Sequence, residues 1–187
     1  MRVLALAGVA ALVVAAGASA HARMSPSVSL ANELQLYSLA IPTEKENLTT
    51  TKIVLTVPQG FSIDSFVPSP GWTRQLQQTG SGEDAVIQKV TWTGGNTPTE
   101  EDSLFQFLAQ PSKAGTYTFD VQQTYSDGSI VDWSGPESSA APAPTIKVSS
   151  SVAGGTSTLA IVALVLGAIG IVLGAIALVS RGGRSMT

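Results

Sequence analysis

Gln123-Thr124-Tyr125-Ser126-Asp127-Gly128-Ser129-Ile130-Val131-Asp132-Trp133 is the stretch that decides the fold. Asp-Gly is a short-range hairpin signal, because glycine takes the positive φ that a tight turn between twisted strands demands. Upstream of the turn, residues 116–125 alternate, with Tyr117, Phe119, Val121 and Gln123 on one face. Downstream, residues 130–133 form the return strand. Period-two alternation on either side of such a turn predicts an antiparallel hairpin with one buried face.

The same punctuation recurs toward the N-terminus. Residues 25–39 start extended and then alternate, with Leu34, Leu36 and Ser38 facing one way and Gln35, Tyr37 and Leu39 the other, until Ile41-Pro42 ends the strand. Thr43-Glu44-Lys45-Glu46-Asn47 is a polar loop. Residues 51–57 alternate Ile53, Leu55 and Val57 against Lys52, Val54 and Thr56, closed by Pro58-Gln59-Gly60. Short strands follow at 61–67 and 72–78, and Val86, Gln88, Val90 and Trp92 alternate over 86–93. A polar loop is predicted over 94–102, then a strand over 104–109 with Phe105 and Phe107 on one face. Strands at about 8–12-residue spacing, Gly/Pro/Asp turns and no helical period predict an all-β, immunoglobulin-like β-sandwich over residues 21–150. Residues 136–144 are rich in Pro, Ala and Ser, and 145–148 add a last edge strand.

The two ends carry the excess hydrophobicity behind a mean hydropathy of +0.27. Residues 1–20 have Arg2 as a basic start, an apolar run, and small residues at Ala18 and Ala20, which is a secretory signal peptide cut after Ala20. Ala20-His21-Ala22 offers a second A-x-A, and a cut there discards the histidine. Residues 151–157 are a Ser/Gly-rich tether. Residues 158–180 hold no charge and are long enough for a transmembrane helix. Arg181 and Arg184 follow, so the positive-inside rule puts the 181–187 tail in the cytoplasm and the sandwich outside. Gly170 and Gly174 form a GxxxG, read as ordinary glycine content of a membrane helix rather than a dimer contact.

Composition removes most chemistries. There is no cysteine, so disulfides and thiolate metal sites are excluded, and there is one histidine, which excludes the usual triads and zinc clusters. All thirteen acidic residues lie from Glu33 to Glu137, while three of the ten basic ones (Arg2, Arg181, Arg184) lie in the terminal segments. An exported part that is clearly acidic, with no basic cluster, argues against nucleic acid. The single histidine, His21, becomes the mature N-terminal residue after the expected cleavage. Its α-amine and ring Nδ1 can then close a chelate on a metal, and imidazole sites favour Cu(II) among the common divalent ions. Met24 offers a thioether to Cu(I), against an ordinary packed side chain.

Four stretches together resemble the YcnI-like family of exported bacterial copper-binding domains. They are His21-Ala-Arg-Met-Ser25-Pro26; Ile41-Pro42-Thr-Glu44-Lys-Glu46-Asn-Leu-Thr-Thr50-Thr-Lys52; Pro70-Gly71-Trp72 with Val90-Thr-Trp92-Thr; and Gln123 to Trp133. The resemblance implies a β-sandwich with a signal peptide and often a membrane anchor. It also implies a Cu(II) site, the mono-histidine brace, made by the amine and imidazole of His21 and a carboxylate, with a tryptophan beside it. Glu44 matches the carboxylate, with Glu46 as the alternative, and Trp133 matches the tryptophan. Two departures stand out. Ser103-Leu104-Phe105-Gln106-Phe107 lacks the acidic residues of the family stretch, and Ala22-Arg23-Met24 replaces its alternating β-branched residues. The function implied is a membrane-anchored extracytoplasmic copper-binding protein in copper trafficking, storage or homeostasis, with a copper-trafficking protein as partner and no enzymatic activity. A redox enzyme at a single copper is disfavoured by the missing second histidine. The alternative is an adhesive or structural cell-surface sandwich without metal.

Overall fold

The computed structural model describes residues 21–82, 85–151 and 158–181, with side chains to residue 177. The predicted signal peptide (1–20), residues 152–157 of the tether and the tail from 182 lie outside the described residues. The chain divides into two units, Met1–Ser149 and Ser150–Thr187.

Twelve strands occur among the described residues of the first unit. In chain order they are β1 (Arg23–Ser25), β2 (Val28–Leu30), β3 (Gln35–Pro42), β4 (Thr49–Thr56), β5 (Phe61–Phe66) and β6 (Thr73–Thr79). They continue as β7 (Val86–Pro98), β8 (Asp102–Pro111), β9 (Gly115–Thr118), β10 (Asp120–Tyr125), β11 (Ile130–Trp133) and β12 (Thr145–Ser149). They form sheets of order β1-β3-β8-β5, β11-β10-β4-β7-β6 and β2-β12-β9. This is the all-β immunoglobulin-like fold expected.

Alternation explains why these segments pair as they do. Along β3 the buried set is Tyr37, Leu39 and Ile41, and along β8 it is Phe105, Phe107 and Ala109. Ile53 and Leu55 of β4, Val90 and Trp92 of β7, and Val121 of β10 face them from the five-stranded sheet. The two sheets meet where Trp92 stacks on Phe105, ring centroids 4.2 Å apart at 25°. Phe61 sits edge-on to Tyr37 at 5.1 Å and to Phe119 at 5.0 Å, the offset geometry that aromatic quadrupoles favour. Each such buried ring contributes roughly 1.5–3 kcal/mol of transfer free energy.

Three elements differ from the sequence expectation. The predicted single strand over 116–125 is two, because β9 pairs with β12 while β10 pairs with β4 and β11, and the chain crosses between sheets at Phe119. Inward parity is kept across the crossing: Tyr117, Phe119, Val121 and Gln123 are all buried. The predicted loop over 94–102 is largely strand. β7 runs on to Pro98 through an irregularity, pairing Lys52 with Thr93 but Thr50 with Thr97. Gly94 has φ +85° there, and a Cβ on Gly95 would fall 2.1 Å from the Trp72 ring that covers it. Finally, β12 is no edge strand. It lies between β2 (parallel) and β9 (antiparallel), because Ile146 and Val148 belong to the core.

The second unit contains α1 (Thr158–Arg181). Its Thr158–Ala177 segment has a mean hydropathy of 2.9, long and apolar enough to cross a membrane. Apart from the helix's own adjoining backbone, no described atom lies within 4 Å of a Cβ added at Gly170 or Gly174.

Candidate metal centre

His21 stands just before β1, half-buried. β1 is an edge strand, held antiparallel to β3 with Arg23 opposite Ala40 and Met24 opposite Leu39. The pairing ends at Arg23, so His21 stands two residues beyond the last β1–β3 pair. Two buried side chains, Ala22 and Met24, plug β1 into the core, and the Arg23 guanidinium reaches across to Asp102 at 2.6 Å. Met24 is therefore a core residue, 4% exposed, and its thioether is taken up in packing.

Under the imidazole lies Trp133. The two rings meet edge-on, centroids 6.4 Å apart at 61°. The indole is fully buried, so Trp133 serves both as core residue and as the floor of the histidine site. Its N–H donates to Gln123 Oε1 at 2.9 Å. Gln123, itself 0% exposed, donates from Nε2 to the Pro42 carbonyl at 2.9 Å and to Thr50 Oγ1 at 2.7 Å. Thr50 and Thr43 hydroxyls lie 2.7 Å apart, and Thr43 Oγ1 donates to the Thr97 carbonyl at 3.2 Å. Ser103 Oγ continues the chain to Thr97 Oγ1 at 2.8 Å. Every buried polar group in this series has a partner, as burial requires.

Residues 43–48 carry both candidate carboxylates, and the loop is tied down on two sides. Thr43 N–H donates to Glu101 O and Glu100 N–H to Thr43 O, while Thr99 Oγ1 donates to Lys45 O at 2.7 Å. On the other side Lys45 Nζ donates to Ser129 Oγ at 2.7 Å and lies 4.8 Å from the centroid of the Tyr125 ring. Asn47 takes a positive φ of 60°, which asparagine tolerates, to turn the chain back. Lys45 thus points inward, leaving Glu44 and Glu46 exposed. Burial raises the Tyr125 hydroxyl above the usual phenol range, and the Glu44 carboxylate adds to the rise, partly offset by the backbone amides of Glu44 and Lys45. Glu44 is therefore within electrostatic reach of Tyr125, two residues along β10 from Gln123. Glu46 exerts no such effect on Tyr125.

His21 also opens onto a groove of ≈ 580 Å³ that Glu137, Lys147 and Thr116 help line. Glu137 is a carboxylate that sequence reasoning passed over, since only the 135–145 segment folding back brings it there. The same holds for Gln123, placed by sequence on the inward face without a role; a glutamine at an otherwise apolar inward position is the signal that points to it. Among the described residues no three His, Cys, Asp or Glu side chains converge into a metal cluster. His21 and the Glu137 carboxylate line the same groove, fewer side-chain donors than a closed metal site holds. Neutral nitrogens with a carboxylate suit a tetragonal Cu(II) site.

Known proteins resemble the chain both in sequence and in fold. It is 34% identical over 185 residues to "Copper-binding protein CutI" of Bacillus subtilis (strain 168), covering 89% of this chain and 88% of that one. A protein of Nocardia farcinica, whose crystal structure reveals an immunoglobulin-like fold, superposes with a TM-score of 0.54 at 28% identity, over 69% of this chain and 98% of that chain. Residues 21–148 match the family described as "Domain of unknown function (DUF1775)", a match that starts at the histidine and ends on β12. From His21 to Val148 the sandwich is one domain of that kind, and the chain belongs to the YcnI-like DUF1775 family.

Proposed function

We propose that this protein binds Cu(II) outside the cytoplasm and serves copper trafficking, storage or homeostasis as a binding protein rather than an enzyme. The observation that carries the reading is the ring contact of His21 with Trp133, whose indole is bonded through Gln123 to the carbonyl of Pro42, two residues before Glu44. The copper-binding relative of similar length supports the choice of metal. In this reading signal-peptide removal after Ala20 frees the α-amine of His21. The amine, the imidazole and the Glu44 carboxylate hold the metal, Glu46 being the alternative carboxylate. Trp133 supports the imidazole from below and keeps water from that side. Copper is passed to or from a trafficking protein, which half-burial of His21 on an open groove would permit. Residues 158–180 anchor the domain in the membrane, 151–157 tether it and 181–187 are cytoplasmic. The uncharged, apolar Thr158–Ala177 segment of α1, whose side chains are all exposed, suits a lipid environment.

The test is the terminus. Adding one residue before His21 converts the amine to an amide while leaving the imidazole. Cu(II) titration and electron paramagnetic resonance should show a tight, tetragonal site in the correctly processed domain and a much weaker, altered one in the extended domain. Equal affinity and identical spectra would refute the brace. Mass analysis showing Arg23 as the first residue of the exported protein would remove it altogether.

A further inference from the structure

Gln123 occupies a position that an apolar residue would fill more simply. It lies on β10 between Ile53 of β4 and Val131 of β11, wholly buried. Its side chain crosses the sandwich to the Pro42 carbonyl on β3, in the opposite sheet. Burying an amide gains little net stability even when fully bonded, whereas it fixes direction. Direction is what the proton inventory reveals. The indole N–H can only donate, so Oε1 must face Trp133 and both amide hydrogens must go to Pro42 O and Thr50 Oγ1. Thr43 donates its one hydroxyl hydrogen to Thr97 O, so Thr50 must donate to Thr43. Each proton has one place to go, and the sequence of bonds runs one way from Trp133 to β7. One end of it sets the ring beneath His21; the middle sets Pro42 and Thr43, the residues that deliver Glu44.

We propose that Gln123 is the positioning residue of this site, coupling the Trp133 ring to the Pro42–Glu44 corner so that imidazole and carboxylate are presented together. The proposal rests on the copper reading for its purpose but not for its geometry, so the test has a metal-free arm. Gln123→Met keeps length and packing and removes every polar side-chain atom; Thr50→Val removes only the hydroxyl that accepts from Gln123 and donates to Thr43, and serves if Gln123→Met fails to fold. In the metal-free processed domain, nuclear magnetic resonance should show the Trp133 indole hydrogen exchanging about tenfold faster in Gln123→Met. The His21 ring and Glu44 amide resonances should shift in both variants, less in Thr50→Val. With Cu(II), affinity should fall about tenfold in Gln123→Met and the paramagnetic resonance spectrum should change, as for other residues that orient ligands. Wild-type indole exchange with unmoved His21 and Glu44 resonances would overturn the proposal. If the extended and processed wild-type domains bind copper alike, the brace is wrong, and the metal-free arm still decides the role of Gln123.

Discussion

The Trp133 indole meets the His21 imidazole edge-on, ring centroids 6.4 Å apart, while its own N–H is committed to Gln123 on the far side. Trp92, by contrast, stacks on Phe105 between the sheets, and Trp72 sits edge-on to the same Phe105 at 5.0 Å. Of the three tryptophans, only Trp133 makes a ring contact with the histidine. Cu(II) bound at His21 should therefore quench Trp133 emission first. Trp133→Phe should abolish most of the quenching and leave copper affinity largely intact, because no ligand is lost. It should cost about 1–3 kcal/mol of stability in urea unfolding, since Gln123 Oε1 is left buried without its donor. Unchanged quenching in Trp133→Phe would place the metal elsewhere.

Glu44 and Glu46 are separable by the same titration. Glu44 lies two residues past Pro42, whose carbonyl Gln123 holds, and Tyr125 feels its charge. Lys45 between them is turned toward Ser129 and Tyr125. Glu44→Gln should weaken Cu(II) binding several-fold, less than blocking the terminus does, because two nitrogens remain. Glu46→Gln should leave the affinity near that of the parent domain. The reverse order, read by competition with a chelator of known affinity, would move the carboxylate to Glu46. Metal ligands must be deprotonated, so binding by the native site should also weaken on acidification.

Much of the fold was written in local alternation, and the departures have a common cause. Tyr37, Leu39 and Ile41, or Phe105 and Phe107, announce a buried face whatever their partners are. Alternation cannot report which sheet a strand joins, so the passage from β9 to β10 at Phe119 is silent: parity runs through it unbroken. Nor could it foresee that Gly94-Gly95 bends β7 under Trp72 instead of ending it. At the site, His21 and Trp133 were legible as chemistry-bearing residues, and so was the polar loop with Glu44 and Glu46. Their arrangement was not, because it depends on register between β1 and β3 and on a hydrogen-bonded glutamine reaching across the sandwich.

The hairpin turn should make the domain sensitive to acid. Asp127 accepts from Ser129 N–H at 2.8 Å and Ser129 Oγ at 2.5 Å, which holds its carboxyl below the ordinary 3.8, with Lys45 nearby acting in the same direction. A depressed carboxyl stabilises the fold above its unfolded value, and that contribution fades as pH falls below 3.8 through the lower folded value. Tyr125 works at the other limb. Its raised hydroxyl favours the fold fully below 10.0, and the contribution is lost as pH climbs through the folded value above that. Thermal unfolding followed against pH should show both limbs. Asp127→Asn should flatten the acid one and Tyr125→Phe the alkaline one, and limbs unchanged in these variants would assign the pH dependence to other groups.

The position of β12 sets where the sandwich domain can be cut. A strand at the sheet edge could be shed with modest loss, but β12 pairs on both sides, with β2 and β9, and buries Ile146 and Val148. Losing two buried aliphatic side chains forfeits roughly 3–6 kcal/mol of burial, besides the pairing that holds β2 and β9. A domain of this size has only about 5–15 kcal/mol of net stability. A chain of residues 21–150 should therefore be soluble and cooperatively folded by circular dichroism, since the unit boundary falls after Ser149. A chain of residues 21–144 should be unfolded or lose most of its thermal stability. If the two melt alike, β12 is dispensable and the core stops short of it; if the longer one is unfolded, the domain requires residues beyond 150.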